Sequence, residues 1–147
     1  MKKKYFFLIS IIMIILLSGC GYEPVYSSKN FLFKIDKITH ENNKINNQIA
    51  RSLKTVSNND AKNLLEFELN SNKEKVVVSK DKAGDPQIFE LKISINIRLN
   101  DEEKKFEGKQ IYNNIENKFE LNEYELEVET QIINKVIDDI IIYLSSQ

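Results

Sequence analysis

Between residues 89 and 99 the chain alternates without a break: Phe89, Leu91, Ile93, Ile95, Ile97 and Leu99 take the odd positions, and Glu90, Lys92, Ser94, Asn96 and Arg98 the even ones. Successive side chains of a strand point to opposite faces, so this segment predicts a strand with one buried and one wet face. A helix would scatter these apolar groups round its whole circumference. The rest of the chain must therefore supply a cover for one side of a sheet and leave the other side open.

The other segments fall into line with that demand. Phe31, Phe33 and Ile35 alternate with Leu32, Lys34 and Asp36 and predict a first strand through about Thr39. Ile45, Ile49, Leu53 and Val56, with Ala50 beside them, form one narrow apolar stripe of a helix from about Glu41 to Val56. Leu65, Phe67 and Leu69 alternate again, and Val76-Val77-Val78 resumes the strand after a polar stretch. The apolar parity switches between those runs, which predicts a bulge or break near Asn70 to Glu74. Lys80 to Pro86 is a turn by composition, with Gly84 free to take positive φ. Asn100 to Lys105 reads as a polar hairpin connection and Phe106 to about Lys118 as a fourth strand. From Asn122 to the end the period becomes helical through Leu126, Ile133, Ile137, Ile140 and Leu144, reinforced by Val136 and Ile141, with Asn122 and Glu125 in the form of a capping box. The order β-α-β-β-β-α predicts an α+β two-layer sandwich: a four-stranded, mostly antiparallel sheet with both helices on its apolar face. The other face would be polar, either solvated or set against a polar partner.

The chain opens with an address. Met1-Lys2-Lys3-Lys4 is a positive leader, and Tyr5 to Leu17 is an almost unbroken apolar run. At 1.5 Å per residue that run makes roughly 20 Å of helix, short of the ~30 Å needed to span a bilayer, so it reads as a secretory signal. The run ends Leu17-Ser18-Gly19-Cys20. This resembles the bacterial lipobox, in which an aliphatic and two small residues precede the cysteine that receives lipid. The bland alternatives are an ordinary signal peptide followed by a chance cysteine, or an uncleaved anchor. On the lipobox reading, residues 1–19 are removed, residues 20–30 form a lipidated extended arm, and residues 31–147 form a single periplasmic domain. Gly21 stands where an aspartate would resemble an inner-membrane retention signal, which favours the outer membrane.

Composition excludes several functions. Lys and Arg total 21 against 22 Asp and Glu, and no basic stripe emerges, which argues against nucleic acid as a partner. One cysteine and one histidine leave no intrachain disulfide and no multi-histidine metal site. No phosphate-binding glycine loop is present, so no catalytic residues, no metal and no cofactor beyond the lipid on Cys20 are expected, and the chain reads as a non-enzyme. His40 beside Glu41 is most simply a solvated loop histidine, and Asp101, Glu102 and Glu103 a charged hairpin tip lacking calcium-loop spacing. Glu123, Glu125, Glu127 and Glu129 would spread round a helix near its N-terminus, where acidic groups suit the dipole. Lys73, Lys75, Lys80 and Lys82 gather around the second strand and its turn. They are either plain surface lysines guarding a sheet edge or contacts for phosphates on a lipid or saccharide headgroup.

The stretch Cys20-Gly21-Tyr22-Glu23-Pro24-Val25-Tyr26 resembles the mature start of the LptE-like lipopolysaccharide-assembly lipoproteins, which often open Cys-Gly-aromatic-x-Pro-aliphatic-Tyr. The turn Asp81-Lys82-Ala83-Gly84-Asp85-Pro86 is similar to that family's Asp-x-x-Gly-x-Pro hairpin, and Tyr112-Asn113 and Phe119 fall in matching order. Glu23 departs from the basic residue or Gln frequent there, and Ser27 from a common Gly. The resemblance implies a subunit that plugs the outer-membrane barrel LptD and helps it assemble, with lipopolysaccharide as a second partner. It makes lipopolysaccharide the anion that Lys73, Lys75, Lys80 and Lys82 would meet. It also makes Ala83, Gly84, Tyr112 and Asn113 the residues that would touch the barrel. The other reading is a lipoprotein adaptor of a different envelope machine, for barrel assembly or lipid transport.

Overall fold

A computed structural model describes residue 31 and residues 33–147, so the leader, Cys20 and the arm lie outside the described residues. The elements are β1 (Phe33–His40), α1 (Lys44–Val56), β2 (Asn63–Lys80), β3 (Pro86–Leu99), β4 (Glu102–Asn113) and α2 (Lys118–Ser145). The four strands stand side by side in chain order. β2, β3 and β4 pair antiparallel, and β1 pairs parallel to β2. The connections dictate this. Only Asn100 and Asp101 join β3 to β4, whereas the parallel pair needs a crossover and α1 supplies it. This is the α+β sheet-and-two-helix layout that the periodicity predicts.

Every odd residue of β3 from Phe89 to Leu99 is buried, and Ile93, Ile95 and Ile97 are wholly so. They merge into one core with Ile49 and Leu53 of α1, Leu65, Phe67 and Leu69 of β2, and Val128, Ile133, Val136, Ile140 and Leu144 of α2. The helices thus cover one side of the sheet, and the even positions of β3 face away from them.

Several expected details are corrected. No bulge occurs near Asn70 to Glu74: β2 and β3 pair in unbroken register from Glu68 opposite Arg98 to Val77 opposite Phe89, and the shift comes between Val77 and Ser79. The odd parity of Leu65, Phe67 and Leu69 simply continues through Ser71, Lys73 and Lys75, because carboxylates on α2 receive the two lysines. α2 starts at Lys118, four residues before the expected Asn122, because Asn117 caps it: its Oδ1 accepts from Phe119 N at 3.0 Å, and its Nδ2 donates to Glu120 Oε1 at 3.1 Å. α1 starts at Lys44, where Asn43 Oδ1 accepts from Asn46 N at 2.8 Å. β4 runs from Glu102 to Asn113 because the hairpin needs two residues only, Asn100 (φ 50°) and Asp101 (φ 67°), both in the left-handed region that a tight hairpin turn requires. Leu126 lies on the expected stripe of α2 yet is 50% exposed.

Candidate functional site

The sequence-predicted residues fall into two places. The first is the β2–β3 turn. Asp81 Oδ1 accepts from Ala83 N at 2.8 Å and from Asp85 N at 2.9 Å, and Asp81 N donates to Asp85 O at 2.9 Å. Gly84 sits at φ +93°, which a side chain would strain. Lys80, Lys82, Ala83 and Gly84 are all exposed on this self-braced tip, and neither lysine makes an ion pair among the described residues. Asn113 ends β4 close by in register, opposite Ile88, and is exposed.

The second place lies between β2 and α2. Lys73 and Lys75 do not join Lys80 and Lys82 in one basic cluster. Lys73 pairs with Glu129, Lys75 pairs with Glu125, and Lys44 of α1 reaches Glu129 Oε1 at 3.1 Å. Lys75 Nζ also stands 4.2 Å from the Phe89 ring centroid, a cation–π contact. Tyr112, expected to touch a partner, is buried. Its hydroxyl donates to Glu125 Oε1 at 2.9 Å, and its ring lies 5.6 Å from Phe89 and 6.0 Å from Tyr124. Burial and the adjoining Glu125 carboxylate push its phenol well above the ordinary tyrosine range. Tyr112 therefore anchors α2 over the end of the sheet.

Because α2 begins at Lys118, Glu125 and Glu129 lie past its first turn, out of reach of the dipole expected to explain them, and instead hold β2, a duty the sequence reading missed. Glu129 is 4% exposed. Burial would raise its pKa, but hydrogen bonds from Lys73 and Lys44 outweigh that and hold it below the usual glutamate value. Because the folded state holds the carboxylate more strongly charged than the unfolded chain does, this contribution is complete above the ordinary glutamate pKa. It fades as pH falls through the lower folded value. Glu129→Gln is expected to cost about 1–2 kcal/mol at pH 7, the scale of hydrogen bonds to a charged group discounted for two half-open lysines. The difference from wild type in urea unfolding should shrink at pH 3; a gap unchanged with pH would refute this role.

The middle of the helix-free face is a lattice of opposite charges. Glu107 accepts from Lys105 at 2.6 Å, Lys92 at 3.1 Å and Ser94 at 2.9 Å, and these bonds, Lys105 foremost, bring its pKa down to about 2. Arg98 meets Glu68 at 3.2 Å and Lys109 meets Glu90 at 3.5 Å. The middle of the face is polar and locally neutral, whereas Leu64, Val76, Val78 and Ile111 stand exposed toward its ends. His40 Nδ1 lies 2.9 Å from the Glu41 backbone carbonyl, not from its carboxylate. Asp101 occupies the β3–β4 tip and Glu102 and Glu103 begin β4; among the described residues no three His, Cys, Asp or Glu come together to hold a metal. No described helix is long and apolar enough to cross a membrane.

No family model matches the chain, and no curated protein matches it as a relative. Solved structures do match in fold. Uncharacterized lipoprotein B from Nitrosomonas europaea has a TM-score of 0.63 at 16% identity, over 86% of this chain and 92% of that one. A candidate lipoprotein from Caulobacter crescentus CB15 gives 0.53 at 12% identity, covering 76% and 88%. Rare lipoprotein B from Shewanella oneidensis gives 0.50 at 17%, covering 76% and 94%. At these identities the likeness is one of fold, and it is a fold shared by three proteins that all carry lipoprotein names.

Proposed function

We propose that this chain is an outer-membrane lipoprotein, anchored through Cys20, that serves as a non-catalytic subunit of the lipopolysaccharide assembly complex, plugging the LptD barrel and helping it assemble. The observation that carries this reading is a lipobox joined to a sheet whose helix-free face is polar and charge-paired throughout its middle. Outer-membrane barrels have polar interiors, and such a face suits one. The fold likeness to lipoproteins and the resemblance of residues 20–26 and 81–86 point the same way. In this reading the rigid tip at Ala83-Gly84 probes the barrel lumen, and Lys80 and Lys82 are the lysines left open to lipopolysaccharide phosphates.

A photo-crosslinking residue placed at Ala83, which is exposed and not at positive φ, tests this in intact cells. The expected adduct joins the chain to a large outer-membrane barrel protein identified by mass. An adduct to another envelope component would replace this reading with the adaptor of a different machine. Recovery of free monomer alone in mild detergent would overturn both.

A further inference from the structure

β1 ends at His40, opposite Leu69, and the chain then climbs into α1. β2 continues for eleven residues more, so from Asn70 onward its outer edge has no neighbouring strand among the described residues. Over Asn70 to Val77 its pairing with β3 is regular, which keeps that edge straight, with the backbone groups of alternate residues turned outward. Proteins commonly blunt such an edge with lysines. Here Lys73 and Lys75 are drawn inward to Glu129 and Glu125, so they do not guard it.

A groove of about 410 Å³ opens alongside this edge, between the first turn of α1 and the middle of α2, its walls including Asn43, Lys44, Ser71, Lys73, Leu126 and Glu129. It lies where the line of β1 would run on past His40. Its apolar wall is the half-exposed Leu126, the one member of the helix stripe that the fold leaves uncovered. Its polar wall is positive, because Lys44 and Lys73 share the single carboxylate of Glu129 and keep donors to spare.

We propose that β2, from Asn70 to Val77, accepts an extended segment of a partner protein as an added strand, seating an apolar side chain against Leu126 and a carboxylate against Lys44 and Lys73. In strand addition the main chain supplies affinity and pockets for alternate side chains supply specificity, and both parts are present here. A second copy of this chain fits poorly: antiparallel self-pairing centred on residues 73 to 75 sets lysine opposite lysine. This surface is separate from the Ala83 tip, so strand addition and the barrel reading can each fail alone.

The test uses full-length lipidated protein in mild detergent and a synthetic octapeptide of alternating valine and threonine, with one leucine and one aspartate two positions apart. Amide hydrogen exchange should slow over residues 70–77 and not along the outer edge of β4. Replacing the peptide's aspartate with lysine should weaken binding about tenfold or more, as should Leu126→Asp, since like charge and a buried carboxylate each cost on the order of 1.4 kcal/mol or more. If Leu126→Asp unfolds the protein, Leu126→Ala takes its place, with a smaller loss expected. No slowing at residues 70–77, equal slowing along β4, indifference to the peptide's charge, or the same protection from dimerisation without peptide would each overturn the proposal.

Discussion

Alanine at Gly108 is expected to lower stability by about 1–3 kcal/mol, the range for forcing an extra methyl into a packed core. Gly108 lies on the helix-facing side of β4, opposite Ile93, where α2 comes down on the strand. A Cβ there would stand 2.6 Å from Ile132 Cγ2 and 3.0 Å from Val136 Cγ2. Both are β-branched side chains one helical turn apart, held by stiff χ1 preferences in a helix, so neither swings away at low cost. The helix must lift instead, and the core beneath Ile133 and Ile140 loosens with it. Valine at the same position should cost more than alanine. The measurement is the urea midpoint at unchanged slope, extended by a double-mutant cycle. Ile132→Ala alone should cost about 2–5 kcal/mol by cavity formation, yet combined with Gly108→Ala it should cost clearly less than the two together, because the new methyl enters the space the isoleucine leaves. Strict additivity would mean that α2 and β4 do not touch as described.

How far the fold can be read from the chain depends on where its buried side is apolar. β3 is legible because all six inward residues from Phe89 to Leu99 are hydrophobic, so the period names the face directly. β2 is legible only as far as Leu69. Beyond it the inward positions are Ser71, Lys73 and Lys75, and a rule that equates inward with apolar reads the valines at 76 and 78 as a parity switch needing a bulge. What holds the true register is charge between elements some fifty residues apart in sequence: Lys75 to Glu125 and Lys73 to Glu129. A signal did exist. Two lysines two apart on a strand and two glutamates four apart on a helix each place like charges on one face, of opposite sign in the two elements, and the two spans are commensurate. The same limit misplaced the start of α2, since Asn117-Glu120 and Asn122-Glu125 have the same spacing and only the chain's exit from β4 selects the first. Leu126 shows the converse: periodicity assigns a residue to a stripe but not to a neighbour, and no described element reaches over it. Of the expected site residues, the turn at 81–86 was legible because its Asp, Gly and Pro act locally. Tyr112 was not, because only the folded sheet shows which way its ring points.

Cys20→Ser should abolish incorporation of labelled palmitate into this protein and leave the uncleaved precursor as the dominant form. The thioether to diacylglycerol requires the thiol at that position; a hydroxyl is a far poorer nucleophile, and the chain has no second cysteine to take its place. Each acyl chain contributes about 0.8 kcal/mol per buried methylene, and two chains hold a protein to a bilayer where one gives only marginal binding, so the hold of the cleaved form on the bilayer rests on one atom. The precursor keeps its apolar run from Tyr5 to Leu17, which still partitions into a bilayer. Membrane association alone therefore does not separate variant from wild type; the missing lipid mass and the unprocessed length of the variant do. The folded body should be indifferent, because its core begins at Phe33, thirteen residues downstream, and unfolding midpoints of wild type and variant should coincide. Gly21→Asp provides the complementary arm: labelling and cleavage persist, and the lipidated product is retained in the inner membrane, separating acylation from delivery. From Cys20 to Phe31 the tether spans at most ~36–40 Å when extended, so retention in the other membrane would carry the Ala83 tip beyond reach of an outer-membrane barrel and remove its crosslink. Palmitate label persisting on Cys20→Ser, or an Ala83 adduct surviving Gly21→Asp, would break the chain of inference from anchor to partner at a known link.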